Sequence, residues 1–106
     1  MVELGGRQWE LRFSFSDVAA AEKQRGMGLP MMLSAEQQGA FTNTALLWAG
    51  MRHQEKGLTY QRVEMMLDEF HREGGDMGVL FGAIVDALEE ARMLGNPKAG
   101  ASTPAN

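Results

Sequence analysis

The side chains able to do chemistry are few, and their spacing does not assemble them. His53 and His71 are the two histidines. They fall near the ends of different expected helices, with no HExxH and no His pair one turn apart, so no metal site is expected. A histidine near a helix C-terminus complements the helix dipole without further purpose. The carboxylate pairs Asp68-Glu69 and Glu89-Glu90 are sequence neighbours on helices, where adjacent side chains diverge, and read as solvated faces. Gly26-Met27-Gly28 and Gly74-Gly75 do not lead from a strand into a helix in the arrangements that cradle phosphate, and read as helix stops. Ser14, Ser16, Ser34 and Ser102 include no GxSxG elbow, and there is no cysteine to act as nucleophile or ligand. No catalytic residue, cofactor or metal ligand is expected.

The nine methionines are the stronger signal. Met51, Met66 and Met77 fall on apolar helical stripes and read as core filling. Met27, Met31 and Met32 instead fall within residues 26–33, a loop by its Gly and Pro but apolar by its side chains. Met65 stands beside Met66 and cannot share its face. Unbranched thioether chains repack cheaply, so such residues suit a surface that accepts varied amphipathic helices. Met27, Leu29, Met31, Met32 and Met65 are therefore the expected partner-binding residues. The same loop allows self-association.

These residues need elements to hold them. Residues 2–13 alternate, with Val2, Leu4, Trp9, Leu11 and Phe13 on one side. Gly5-Gly6 can take the positive φ values of a two-residue turn, which pairs Val2 with Trp9 in a hairpin. Two strands are marginal alone, so helices must cover the apolar face. Ser16-Asp17 is the expected cap of a first helix ending at Gly26. Ser34, with Gln37 at capping-box spacing, is expected to open a second helix carrying Phe41, Ala45, Trp48 and Met51 as its stripe. Thr59 caps a third, with Leu58 and Val63 at the staple positions and Val63, Met66, Leu67 and Phe70 inward. Asp76 caps a fourth, whose apolar set runs from Met77 through Leu80, Phe81, Ile84, Val85 and Leu88 to Ala91. Gly95-Asn96-Pro97 stops it. The expected fold is mostly α with a short N-terminal β-hairpin: about four helices in one domain, residues 1–95, and a flexible tail, residues 96–106.

Composition limits the partners. The chain has 106 residues, 44% of them hydrophobic, enough for one globular domain. Ten Lys and Arg against 14 Asp and Glu leave a net charge of −4, which gives no general attraction for phosphate backbones or anionic lipid. A helix-turn-helix reader could be drawn from Arg52, Lys56 and Arg62, but Glu55, Glu64, Asp68 and Glu69 interleave with them. The longest apolar run, Ala45 to Ala49, is far short of a membrane span, and Met1-Val2-Glu3-Leu4 does not read as a signal peptide. A protein partner is expected, with no nucleic acid and no membrane.

Three segments in order, LGGRQWELRFSFSDVAAAEK, ALLWAGMRHQEKGLTYQRVEMMLDE and LFGAIVDALEEA, resemble the small tail assembly chaperones of long-tailed bacteriophages and gene transfer agents. The resemblance covers roughly residues 3–94, and its most specific part is the block from Leu46 through Met51 to Leu58-Thr59 and Val63. The loop 26–33 lies outside the family pattern. The resemblance implies a non-enzymatic protein in the host bacterial cytoplasm, absent from the mature virion. Its partners would be the helical tape measure protein and the tail tube protein. Many relatives also exist in a longer, frameshifted form, for which the segment after Gly95 would be the junction. A structural tail, tube or connector component is the near alternative, and a small DNA-binding phage regulator a more distant one. Tube subunits are generally built on a large β-sheet, which one short hairpin cannot supply.

Overall fold

The computed structural model describes residues 1–94. The elements run β1 (Val2–Leu4), β2 (Arg7–Trp9), α1 (Phe15–Arg25), α2 (Leu29–Met32), α3 (Ala40–Met51), α4 (Tyr60–Arg72) and α5 (Met77–Glu90). The fold is a mostly helical single domain with an N-terminal antiparallel hairpin. The expected tail, residues 96–106, lies outside the described residues.

The hairpin forms where the period of two and the glycine pair place it. Val2 faces Trp9 and Leu4 faces Arg7, and Gly5 and Gly6 take φ of +62° and +73° at the turn. Strand pairing ends at Trp9, short of the expected run to Phe13. The alternation continues in burial, since Phe13 is buried while Glu10 and Arg12 are exposed. From Glu10 onward the chain turns to the C-terminal end of α3. There the Arg12 amide donates to the Gly50 carbonyl at 3.0 Å, satisfying one of the acceptors a helix end leaves open. The Gln54 amide group accepts from Glu10 N–H and donates to the Gln8 carbonyl, both at 2.9 Å, so a side chain covers the free edge of β2.

α3 is the axis of the domain. It packs against α1, α4 and α5, and Thr42 through Leu47, Ala49, Gly50 and Met51 are all buried. Around it gather Val2, Leu4, Trp9, Phe13, Val18, Val63, Ile84 and Leu88 in one continuous core. Such burial removes any polar face from α3, so periodicity could not orient it. Phe41, expected on an inward stripe, is 62% exposed. Nor does Ser34 open this helix: α3 starts at Ala40 with Gly39 as N-cap, and Ser34 to Gln37 is taken up in turns, with Ser34 N–H donating to Met31 O and Gln37 N–H to Ser34 O, each at 3.1 Å.

The greasy loop contains a fifth helix. α2 is a single turn with Pro30 in its first positions. It buries Leu29 at 4% and Met32 at 0% exposure. The Glu22 carboxylate accepts from Leu29 N–H at 2.8 Å and holds the turn against α1. The apolar character of residues 26–33 thus arises largely from burial.

α1 is capped by Ser14, not by Ser16-Asp17. Asp17 is the N3 residue of a capping box, in which Ser14 Oγ accepts from Asp17 N–H and the Asp17 carboxylate accepts from Ser14 N–H. Arg52, one residue past α3, donates its Nε–H to Asp17 Oδ1 at 2.7 Å and also reaches the Ser16 hydroxyl and carbonyl. Burial alone pushes the Asp17 carboxyl up, but the Ser14 hydrogen bonds and Arg52 together outweigh it and hold its pKa below the ordinary aspartate value. A depressed folded pKa stabilises above the unfolded value, and that contribution is lost as pH falls through the folded one. Asp17→Asn is therefore expected to cost about 1–2 kcal/mol at pH 7. Relative to the parent chain, the difference should shrink below about pH 4. Urea midpoints of the two chains from pH 7 to 2.5 check this; a difference that stays constant with pH refutes it.

The remaining caps follow the sequence. Thr59 Oγ1 accepts from Arg62 N–H at 3.1 Å, and Asp76 caps α5 by accepting from Gly78 N–H at 2.8 Å. Gly26 ends α1 in the left-handed conformation with φ +71°.

Candidate functional site

Of the five expected contact residues, Met31 and Met65 stand on the surface, 52% and 71% exposed. Met27 is half-buried against the core. Leu29 and Met32 belong to the core itself, which corrects the expectation that the loop presents them to a partner. Their side chains lie one turn apart on α2, a helix too short to display a readable stripe. The two exposed methionines sit on separate elements, α2 and α4.

A different apolar surface is built by α3, α4 and α5 together. A groove of about 470 Å3 runs between the first turns of α3 and the middle of α4, and reaches the start of α5. Asn43, Thr44 and Leu67 are its buried floor, while Phe41 and Met77 stand beside them. Glu64, Asp68 and His71, spaced along one face of α4, form the exposed rim. The Arg25 guanidinium lies 5.6 Å from the Phe41 ring centroid. Tyr60 stands beside Thr44 and Glu64. Burial, then the nearby Glu64, push its phenol up, against the smaller opposing effects of the Thr44 hydroxyl and Arg25. Tyr60 is therefore neutral near pH 7.

The start of α3 is polar and buried, an unusual combination. Thr42 Oγ1 donates to Gln37 O at 2.7 Å, and Thr44 Oγ1 donates to Ala40 O at 2.6 Å. Asn43 is 7% exposed, and its Oδ1 has no hydrogen-bond partner among the described residues. Buried acceptors are nearly always satisfied, so this one calls for a donor.

Glu64 and Asp68 also bound a second depression, of about 440 Å3, on the outer face of α4 beside Met65. The groove and Met65 are thus two sides of one acidic ridge. Asp68 meets Arg72 at 3.2 Å, but both side chains are more than 70% exposed, and such pairs add little stability.

The groups that could have suggested chemistry are dispersed. His53 donates through Nε2 to the Glu10 carbonyl at 2.7 Å, whereas His71 is at the end of α4. Arg62 and Arg7 both pair with Glu55, and Arg52 is held by Asp17. Among the described residues there is no group of three or more His, Asp or Glu able to hold a metal ion. No helix among them is long and apolar enough to cross a membrane.

Reading along the chain missed Phe41, Asn43, Glu64, Asp68 and Met77 as one surface, because they come from three helices. One local signal was available: Thr42-Asn43-Thr44 interrupts an otherwise apolar helix, and three polar residues there need a reason. Compared with known proteins, the chain matches no family model, no curated protein and no solved structure.

Proposed function

We propose that the protein is a tail assembly chaperone of a long-tailed bacteriophage or gene transfer agent. It binds helical segments of the tape measure protein in the host cytoplasm and helps recruit tail tube subunits around them. The order of the three resembling segments supports this reading. The observation that carries it is the apolar surface left outside a closed core: Met65 on the outer face of α4, and Phe41 beside the groove floored by Leu67. An apolar groove flanked by exposed apolar side chains suits a helical partner, and a helical tape measure offers long apolar faces to cover. The alternative is a structural tail or connector component. The described β structure, one two-stranded hairpin, offers little sheet for stacking into a tube.

Co-expression with the tape measure protein tests the proposal. The two proteins should co-purify, and the chaperone should be absent from finished virions by mass spectrometry. Met31→Ser with Met65→Ser should weaken retention by roughly tenfold. Both side chains are exposed, so the melting transition should be unchanged. Unaltered retention would remove these two methionines from the binding surface; a stoichiometric presence in virions would favour the structural alternative.

A further inference from the structure

The net charge is not spread along the chain. Residues 1–59 carry six acids and six bases, whereas residues 60–94 carry eight acids and three arginines. The described acidity therefore resides in α4, α5 and their junctions. The groove opens on this half, and Glu64 and Asp68 form its rim. The basic groups near it are Arg25, against the Phe41 ring, His71, farther along α4, and Arg72, which pairs with Asp68 at the surface.

We infer that the groove takes a basic amphipathic helix from a partner protein: apolar side chains seat on Phe41, Leu67 and Met77, Lys or Arg crosses the Glu64 and Asp68 ridge, and a polar side chain pairs with the Asn43 amide as it turns its enclosed Oδ1 toward the groove. This deepens the helix-capture reading and rests on it for the class of partner. Three observations converge on that occupant. The floor is apolar and bounded by helices, which suits a helix laid in a groove. The rim is acidic, and Glu64 makes no ion pair among the described residues. Asn43, more than nine-tenths buried, lines the groove with an acceptor that nothing in the described chain satisfies. A second copy of this chain is a poor occupant, because it would bring an acidic half toward an acidic ridge.

The probe is a fluorescein-labelled 18-residue synthetic helix with Leu along one face, Lys flanking it and one central Gln, compared with a version carrying Glu in place of Lys. Fluorescence anisotropy with the full chain should show binding of the Lys peptide and at least tenfold weaker binding of the Glu peptide. Phe41→Ser should weaken the Lys peptide about tenfold, and so should Glu64→Gln with Asp68→Gln. These side chains are exposed, so circular dichroism melts should match the parent. Replacing the central Gln by Leu should weaken binding to the parent chain but not to Asn43→Leu. Equal affinity for both peptides, or binding indifferent to Phe41→Ser, overturns the inference. A dimer that dissociates in Phe41→Ser would assign the groove to a second copy and also overturn it. If the Lys peptide binds as described but the tape measure protein is not retained, the groove assignment stands and the chaperone reading fails. If the tape measure protein is retained equally by every groove variant, the chaperone reading stands and the groove assignment falls.

Discussion

Trp9→Ala should cost about 3–5 kcal/mol, the range for removing a large buried aromatic side chain, which is a large part of the roughly 5–15 kcal/mol that holds a typical domain. The ring is 1% exposed and is the largest side chain of the hairpin's inner face, beside Val2, Leu4 and Phe13. Its Nε1–H donates to the Leu4 carbonyl at 2.9 Å, across the hairpin turn. The Arg7 guanidinium lies 4.4 Å from the ring centroid. Removing the indole therefore empties the space between the hairpin and the helices and leaves the Leu4 carbonyl without its donor. Trp9→Phe keeps most of the apolar volume but not the donor, and should cost about 1–2 kcal/mol. Denaturation followed by circular dichroism checks both. Trp48, the other tryptophan, reports by fluorescence whether the helical part melts with the hairpin. A Trp9→Ala loss under 1 kcal/mol would mean that the hairpin is not anchored as described.

Gly50→Val should be comparably damaging, for a reason that opposes helix propensity. A side chain at a mid-helix glycine ordinarily stabilises by up to about 1 kcal/mol in the case of Ala. Here a Cβ added at Gly50 would stand 2.8 Å from Phe13 Cζ and 3.2 and 3.3 Å from the ring atoms beside it. Phe13 is 4% exposed, and the chain just before it is fixed by the Arg12 hydrogen bond to Gly50 itself. The ring cannot retreat without moving the hairpin. Overpacking of this kind costs about 1–3 kcal/mol, so Gly50→Ala should lose about 1 kcal/mol net and Gly50→Val about 3. Pairing Gly50→Ala with Phe13→Leu tests the cause, since a flexible leucine can withdraw. The double variant should be more stable than the sum of the single changes allows, by at least 0.5 kcal/mol. Strict additivity would show that the ring is not what excludes a side chain.

The elements legible in the sequence are those with a local cause. Gly5-Gly6 and the period of two set the Val2 to Trp9 register, and Thr59, Asp76 and Gly26 cap or stop helices by chemistry within one turn. The misreadings arose where two local signals competed or where tertiary burial decided. Ser14 precedes α1 and Ser16 lies in its first turn, and the box with Asp17 at the third position selects Ser14 as the cap. The Ser34 and Gln37 spacing imitates a cap, yet the helix waits until Ala40. Leu29 and Met32 looked like unassigned surface because one turn of helix has no periodicity to show. The helical period places Phe41 inward, because α3, buried nearly all round, offers no polar face against which to orient it. The candidate groove was least legible of all. Its floor, walls and rim come from α3, α4 and α5, and its most telling atom, Asn43 Oδ1, stands out only by having no hydrogen-bond partner among the described residues.

The uneven placement of charge has a kinetic consequence as well. With the acids gathered in residues 60–94 and the rest of the described chain nearly balanced, the molecule has a directional field rather than a uniform one. A cationic helix approaching from beyond contact range feels a torque that turns the α4 side toward it, so productive collisions become more frequent than random orientation permits. That advantage extends about one Debye length, near 8 Å at physiological salt, and fades as salt is added, while the apolar seat beneath it does not. On the proposed binding mode, salt would set how fast such a helix arrives, and the groove how long it stays.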